Sequence, residues 1–290
     1  MIGNPSEFPI IQKRPAKDAH SRDRNHVAKA TALGARISLA RFFLIYIGRR
    51  TMEEKIEKFR RMLNECNDVV FFGGAGVSTE SGIPDFRSVD GLYHEQYDYP
   101  PETILSHTFY RRNTEEFYRF YRNKMLYLGA KPNAAHKKLA EWEQQGKLKA
   151  VITQNIDGLH QAAGSKVVWE LHGSVLRNYC ETCGAFYDVD CIRNSEGVPK
   201  CEKCGGSIKP DVVLYEEGLD DHVVTEAVKA IRNADMLIIG GTSLAVYPAA
   251  GLIDYFRGKY LVLVNKGATS RDAQADLVID GKIGEVFSAL

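Results

Sequence analysis

The strongest constraint on the fold is a short apolar run that stops at a cluster of glycines. Residues 68–72 have the sequence DVVFF and are followed by GGAGVSTESGIPDFR at 73–87. A β-branched and aromatic run that ends at glycines predicts a buried strand leading into a phosphate-facing loop. Gly73, Gly74 and Gly76 allow close backbone approach to a pyrophosphate, whose charge is favoured by amide groups at the start of a helix. The sequence therefore predicts a nucleotide-binding loop followed by a helix.

Apolar runs alternate with amphipathic helical patterns through most of the remaining chain. The runs predicted to be strands are about 148–153, 167–170, 211–215, 236–239, 260–264 and 277–279, and the predicted helices are about 52–63, 113–127, 134–145, 220–232 and 284–289. Strands that alternate with helices predict a parallel sheet. Segments with polar side chains follow two of these strands: QNID at 154–157, and LHG at 171–173, which carries His172. Because ligands of such sheets bind beyond the carboxyl ends of the strands, these residues should share one crevice with the glycine loop.

Four of the six cysteines form two C-x-x-C pairs. Cys180 and Cys183 make the first pair and Cys201 and Cys204 the second, with seventeen residues between the pairs. This spacing is typical of a zinc site. Four thiolates leave no open coordination position, which a catalytic zinc requires, so one structural Zn²⁺ is predicted. Reduced cysteines also indicate an intracellular compartment, and we expect a cytoplasmic protein.

The N-terminal residues 1–51 differ in composition from the rest of the chain. They carry ten lysines and arginines against three acidic residues. A basic, acid-poor composition is compatible with a transit peptide, and it also suits a disordered extension or translation assigned too far upstream of Met52. We favour these simpler explanations. The apolar run 37–47 is too short to span a bilayer, which needs about 20 residues. The net charge of +1 gives no reason to expect direct binding to nucleic acid or membranes.

Six motifs, in order along the chain, resemble those of the sirtuins. They are GAGVSTESGIPDFR at 74–87, TQNIDGLH at 153–160, HGS at 172–174, the paired C-x-x-C, GTSL at 241–244 and VN at 264–265. The resemblance covers about 52–290 and implies an α/β fold, a Rossmann-like parallel sheet domain with a smaller inserted zinc-ribbon and helical module. It also implies NAD-dependent deacetylation of protein lysines, with nicotinamide and O-acetyl-ADP-ribose as products.

The same resemblance divides the chain into parts. The large Rossmann part would comprise about 52–82, 146–172 and 211–290. A helical part that holds the cofactor loop would cover about 83–145, and the zinc module about 173–210. The oligomeric state and the protein targets are not specified by any of these motifs.

The resemblance assigns catalytic roles to His172, Asn155 and Asp157. Imidazole titrates near working pH, so His172 would take a proton from a ribose hydroxyl. Asn155 and Asp157 would hold the carboxamide of nicotinamide, since an amide and a carboxylate satisfy its donor and acceptor together. The same two residues also suit a helix start, and both roles are compatible. By chemistry alone His136 and His160 rival His172, but their predicted helical positions favour packed or hydrogen-bonded side chains.

The other contacts implied by the resemblance form two sets. The cofactor-binding set is Gly74, Ala75, Gly76, Asp85, Phe86, Arg87, Gln154, Asn155, Ile156, Asp157, Gly241, Thr242, Ser243 and Asn265. The substrate-binding set is Val212, Val213, Tyr215 and Glu217, in a segment that would pair with acetylated protein substrates as an added strand. Asp85 either contacts the cofactor or only fixes the loop. Two departures from the family pattern are Gly73 in place of the threonine of TGAG, and YEE at 215–217 in place of F-G-E.

Acyl preference and the type of reaction leave alternatives. Sirtuins that prefer succinyl or malonyl groups carry a Tyr-x-x-Arg pair, whereas in this chain Tyr118 is followed by Tyr121 and then Arg122. The displaced arginine favours acetyl or other uncharged acyl groups. ADP-ribosyl transfer to a protein side chain would share the cleavage of NAD and is the alternative enzyme activity. A non-catalytic NAD sensor is disfavoured because His172, Asn155 and Asp157 are all intact.

Overall fold

The computed structural model describes residues 48, 50–85 and 99–290. The fold described below is that of one compact unit, Glu54–Leu290. The predictions for Phe86 and Arg87, and for nearly all of the extension 1–51, lie outside the described residues. Within the described ranges no helix has the length and apolar character needed to cross a membrane.

The secondary structure follows the predicted alternation. The strands are β1 (Val69–Gly73), β2 (Leu148–Thr153), β3 (Val168–Glu170), β4 (Gly173–Cys180), β5 (Phe186–Asp188), β6 (Ile208–Val212), β7 (Met236–Gly240), β8 (Tyr260–Asn265) and β9 (Leu277–Asp280). The helices are α1 (ending at residue 64), α2 (Pro101–Ile104), α3 (His107–Arg112), α4 (Thr114–Lys124), α5 (Ala134–Gln144), α6 (Leu159–Ala163), α7 (Val189–Arg193), α8 (Asp221–Asn233) and α9 (Ile283–Ser288).

Six of the strands form one parallel sheet in the order β3-β2-β1-β7-β8-β9. This confirms the predicted parallel sheet. The strand order reverses at β1, the position at which open α/β sheets bind their ligands. The register sets Gly73 beside both Thr153 and Gly240, so three strands end side by side. The segments that follow these three strands therefore meet at one place.

The central strand β1 is buried on both faces, which explains its uninterrupted apolar sequence. Val70 and Phe72 belong to the core that α8 covers. On the other face the ring of Phe71 lies 6.0 Å from that of Phe287 in α9 and 6.1 Å from that of His160. Helices thus cover both sides of the sheet, as the alternating pattern requires.

The prediction of a helix directly after the glycine loop is wrong. Two 3₁₀ turns, Ala75–Val77 and Thr79–Ser81, take its place. The second turn ends at Gly82, whose φ of +83° is left-handed. Pro84 then disfavours a helical conformation for the preceding residue, Ile83. The left-handed turn at Gly82 and the proline at position 84 therefore interrupt this segment, which forms no α-helix.

The prediction of a parallel strand at 211–215 is also wrong. The strand is β6, Ile208–Val212, and it pairs antiparallel with β4 in a separate sheet of order β5-β4-β6. One core joins this small sheet to α2, α3 and α4. Its buried members include Phe109, Tyr110, Phe117, Tyr118, Phe120 and Tyr121 from the helices, and Val175, Cys180, Cys201 and Ile208 from the cysteine-bearing part. The helical segment and the cysteine module therefore share one hydrophobic core.

Candidate active site and metal centre

The glycine loop after β1 packs directly against the end of β7. The amide of Gly74 donates to the carbonyl oxygen of Gly240 at 3.2 Å, and the amide of Gly76 donates to that of Gly241 at 2.8 Å. A Cβ at Gly74 would lie 2.8 Å from Cβ of Thr242, and a Cβ at Gly76 would lie 2.8 Å from Cα of Gly241. Only glycine fits at both positions. The structure thus brings together two of the predicted cofactor-binding segments.

Ser78 links two of the predicted catalytic residues. Its hydroxyl donates to Oδ2 of Asp157 at 2.6 Å, and Nδ2 of Asn155 donates to the same hydroxyl at 3.1 Å. The amide of Leu159 donates to Oδ1 of Asp157 at 2.9 Å, so both carboxylate oxygens are fixed. In the sequence Ser78 is one of several polar residues in the loop, and the motifs assign it no role. Its partners lie more than seventy residues away in sequence, so no local pattern identifies it.

A cavity of about 420 Å³ opens beside this cluster. The walls include Ala75, Ser78, Asn155, Ile156 and Asp157. Ile156 and Leu159 provide apolar surface next to the amide and the carboxylate. The combination of an apolar wall with one amide and one carboxylate suits a small planar ligand that has both a donor and an acceptor.

His172 lies two residues after the end of β3, and its Nδ1 is 3.0 Å from the carbonyl oxygen of Gln154. A carbonyl oxygen only accepts, so Nδ1 carries the proton and Nε2 of the neutral ring is free to take one. Burial lowers the pKa of His172, and the bond to Gln154 partly opposes this effect. The backbone carbonyl of His172 also accepts from the amide of Val213 at 3.1 Å. The ring is thus held as a neutral imidazole at the junction of the two sheets.

The remaining predicted cofactor residues lie around the same strand ends. Nε2 of Gln154 donates to Oγ1 of Thr242 at 3.2 Å, which joins the segments after β2 and β7. Asn265 ends β8, and its Nδ2 donates to the carbonyl oxygen of Gly267 at 3.3 Å. Ser243 is exposed next to Thr242, and Asp85 is the last described residue before the gap at 86–98.

The two rival histidines are buried away from solvent. His136 is 0% exposed, and its Nδ1 accepts from the amide of Asn133 at 3.3 Å. His160 is 1% exposed, with its ring 4.7 Å from that of His136. Burial lowers the pKa of His136 to about 4 and that of His160 well below its usual value. Both therefore behave as packed neutral side chains, as their helical positions indicated.

The four predicted metal ligands converge. The Sγ atoms of Cys180, Cys183, Cys201 and Cys204 all lie within 4.8 Å of one another. The Cys180–Cys204 and Cys183–Cys201 pairs have Sγ–Sγ distances of 3.4 and 3.6 Å. Zinc–sulfur bonds of about 2.3 Å in a tetrahedron require sulfur separations near these values. The cysteines thus fit one Zn²⁺ with no open position.

The predicted substrate segment follows β6 and contacts α3. Val212 pairs with Gly173, and Val213 hydrogen-bonds to the backbone of His172, as described above. The amide of Tyr215 donates to the carbonyl oxygen of Leu105 at 2.9 Å. The segment therefore begins beside His172 and ends against the helical part.

Known proteins of one family are similar to this chain over most of its length. The model of the Sir2 family matches residues 74–248. The NAD-dependent protein deacetylase of Clostridium perfringens is 62% identical over 239 residues, which are 81% of this chain and 98% of that protein. That of Clostridium acetobutylicum is 60% identical over 240 residues, covering 82% of this chain and 98% of that protein.

Solved structures of Sir2 enzymes match over the same part of the chain. A Sir2 complex with a p53 peptide and NAD⁺ has 42% sequence identity and a TM-score of 0.73, covering 81% of this chain and 96% of that chain. A Sir2 complex with a deacetylated p53 peptide and 3′-O-acetyl ADP ribose has 41% identity and a TM-score of 0.76, with the same coverage. The family prediction made from the motifs is confirmed, and the chain belongs to the Sir2 family.

Proposed function

We propose that the chain is an NAD-dependent protein lysine deacetylase that produces nicotinamide and O-acetyl-ADP-ribose. The observation that carries the proposal is the arrangement of polar side chains at the ends of neighbouring strands of the large sheet. The free Nε2 of His172 lies at one strand end, and the cluster of Ser78, Asn155 and Asp157 follows the neighbouring ends. The relatives with 60% and 62% identity are NAD-dependent protein deacetylases, which supports the same activity for this chain.

Two observations indicate that the residues present can bind NAD. Gly74 and Gly76 leave no room for a Cβ against the end of β7, so no side chain at either position separates the two segments proposed to hold the pyrophosphate. The cavity beside Asn155 and Asp157 offers one amide, one carboxylate and an apolar wall. When bound, NAD supplies nicotinamide as a leaving group and a ribose that accepts the acetyl group.

The chain's own residues then have separate tasks. Asn155 and Asp157 hold the carboxamide, and Ser78 keeps their side chains in a fixed relative orientation. Nε2 of His172 takes a proton from a ribose hydroxyl, since the bond from Nδ1 to Gln154 fixes the tautomer. Gln154 and Thr242 align two of the cofactor segments. Phe86 and Arg87 complete the cofactor site in this proposal, from the family motif alone.

Acetyl groups are the proposed acyl substrate because Arg122 is engaged elsewhere. Its Nε donates to the carbonyl oxygen of Ile192 at 2.9 Å, and its Nη2 donates to Oγ of Ser195 at 2.7 Å. The guanidinium thus lies against the cysteine module. Its engagement there leaves it unsuited to pair with the carboxylate of a succinyl group.

The direct test of the function is mass spectrometry of acetyl-lysine and succinyl-lysine peptides incubated with the protein and NAD. We expect deacetylation with one O-acetyl-ADP-ribose formed per acetyl group removed, and slower turnover of the succinyl peptide. Transfer of ADP-ribose onto the peptide without deacetylation would favour ADP-ribosyl transfer instead. Binding of NAD with no turnover of any acyl peptide would identify a sensor.

Replacing Asp157 with asparagine should weaken inhibition by nicotinamide about tenfold. The change removes a carboxylate that accepts from Ser78 and Leu159, and hydrogen bonds to charged groups contribute about 1.5–3 kcal/mol. The measurement is the inhibition constant of nicotinamide, with thermal unfolding to verify the fold. Asp221→Asn, at an exposed carboxylate of α8, is the matched control. Equal inhibition of wild type and Asp157→Asn would contradict the assignment.

The pH profile of kcat/KM should have an acidic limb with its midpoint below pH 6.5. The base is active only when neutral, and burial lowers the pKa of His172 from its ordinary value of 6.5. Activity is therefore retained as the pH falls to 6.5 and is lost at lower pH, when the ring is protonated. Initial rates at limiting substrate between pH 5 and 9 measure this limb. A midpoint above 6.5 would be inconsistent with a buried neutral imidazole.

Localisation and partners complete the proposal. The four metal-binding cysteines form no disulfide and are arranged to hold zinc as thiolates. This supports a reducing compartment, and the cytoplasm is the location proposed. The partners proposed are acetylated proteins, recognised along the segment that includes Val212, Val213, Tyr215 and Glu217.

A further inference from the structure

We propose that Glu216 is a positioning residue for peptide binding: its carboxylate, bound to α3, orients the segment 213–217 for pairing with the substrate backbone. The inference rests on the proposed function and concerns the place where this chain departs from the F-G-E pattern of its family. Glutamate occupies the position of the family's glycine.

The backbone explains why that position is usually glycine. Glu216 has a φ of +75°, in the left-handed region that side chains other than glycine seldom adopt. Such a conformation persists only where surrounding contacts impose it. In this chain the left-handed conformation is kept although glutamate replaces the glycine that would adopt it most easily. Glu216 must therefore be held in place by a contact of its own.

The contact is a hydrogen bond from the first turn of α3. The amide of Thr108 donates to Oε2 of Glu216 at 2.8 Å. Amides in the first turn of a helix have no acceptor within the helix, so the carboxylate of Glu216 provides the acceptor that the amide of Thr108 needs. The bond joins an ionised acceptor to a backbone donor and is stronger than a bond between neutral groups. Hydrogen bonds from the side chain of Thr108 and from its backbone amide lower the pKa of Glu216, so the carboxylate is charged at neutral pH.

The neighbouring residues are fixed by other contacts. The amide of His107 donates to the carbonyl oxygen of Tyr215 at 2.9 Å. The carboxylate of Glu217 accepts from the amide of Leu214 at 2.8 Å and lies 2.9 Å from Nδ1 of His107. The residues on both sides of Glu216 are therefore held by hydrogen bonds. These bonds do not fix the orientation of the peptide groups of Glu216 itself.

The backbone N–H and C=O of Glu216 make no backbone hydrogen bond within the described residues. They are the groups an added strand would use, because strand addition depends on main-chain bonds to an open edge. A rotation of the turn at 216 would redirect both groups. The bond between Thr108 and Glu216 prevents that rotation, so the edge is ordered before the peptide arrives.

Two substitutions separate this role from general stabilisation. Glu216→Gly restores the family residue, adopts the left-handed turn without strain and removes the anchor. Glu216→Gln keeps a side-chain oxygen that can accept from Thr108. We expect Glu216→Gly to raise KM for an acetyl-lysine peptide about tenfold, with kcat and KM for NAD within about twofold of wild type. Glu216→Gln should remain within about threefold of wild type in all three constants, because the acceptor is kept.

The experiment is steady-state kinetics of wild type and both variants, with peptide and NAD varied separately and thermal unfolding measured in parallel. A Glu216→Gly variant with an unchanged peptide KM would overturn the inference while leaving the proposed function intact. Equal rises in KM for peptide and NAD would also overturn it, since they indicate general loosening. A wild-type protein without deacetylase activity would reject the proposed function and this inference together.

Discussion

Replacing His172 with tyrosine should lower the rate of deacetylation by about 10²- to 10⁴-fold and leave NAD affinity within about twofold of wild type. The reason is the fixed tautomer of the imidazole. Nδ1 is committed to the carbonyl of Gln154, so Nε2 is the proton acceptor that the ring offers to a substrate hydroxyl. A tyrosine hydroxyl is a far weaker base at neutral pH. The cofactor contacts proposed for Gly74, Gly76 and Thr242 are unaffected by the change.

Three measurements make this prediction specific. Single-turnover deacetylation reports the chemical step, and calorimetric titration with NAD reports binding. His222→Tyr, at an exposed imidazole of α8, is the matched control and should have wild-type activity. Addition of free imidazole to a His172→Ala variant should restore part of the lost rate. Near-normal turnover of His172→Tyr would refute the assignment of the base.

Removing zinc should unfold the cysteine module and abolish activity altogether. Structural zinc contributes about 10–16 kcal/mol of binding free energy in small zinc-finger peptides, as much as or more than the roughly 5–15 kcal/mol that stabilises a whole domain. The loss should extend beyond the module, because Cys180 and Cys201 belong to the same core as Phe117 and Tyr118 of α4. The helical part should therefore lose its packing as well.

Cys201→Ser and chelation of the wild type are the two ways to test this. Metal analysis should fall from one zinc per chain to none, and near-ultraviolet circular dichroism should report the loss of aromatic packing. Cys191→Ser is the matched control, because Cys191 lies on α7 in the same module and outside the four-sulfur cluster. A chelated protein that remained active, or full zinc content in Cys201→Ser, would contradict the prediction.

The large sheet can be predicted from the sequence because each strand carries its own signal. A strand buried on both faces needs a continuous apolar run, as β1 and β7 have. The sequence pattern misplaces β6 for a physical reason. Pro210 lies within it and argues against a strand, while the apolar residues just after it suggest one. As an edge strand paired only with β4, β6 tolerates a residue without an N–H group.

The candidate site is predictable in its residue types and less so in its hydrogen bonds. The resemblance selects His172, Asn155 and Asp157, and the fold brings the segments that carry them to neighbouring strand ends. The roles of Ser78 and Glu216 depend on partners distant in sequence, on Asp157 and Thr108 respectively. Motif spacing contains no information about such contacts. The left-handed turn at Glu216 is visible in the sequence only as a departure from the family pattern.

The core that α3 and α4 share with the cysteine module also has a consequence for folding during synthesis, because its parts leave the ribosome at different times. These helices emerge from the ribosome before β2, β3 and β4, and β6 emerges later still. Phe117 and Tyr118 cannot be enclosed until Val175 and Ile208 have been made. The aromatic faces of these helices therefore stay uncovered while β2 and β3, the next strands of the large sheet, are translated. Apolar surface that is exposed during this interval is prone to aggregation, which chaperones suppress.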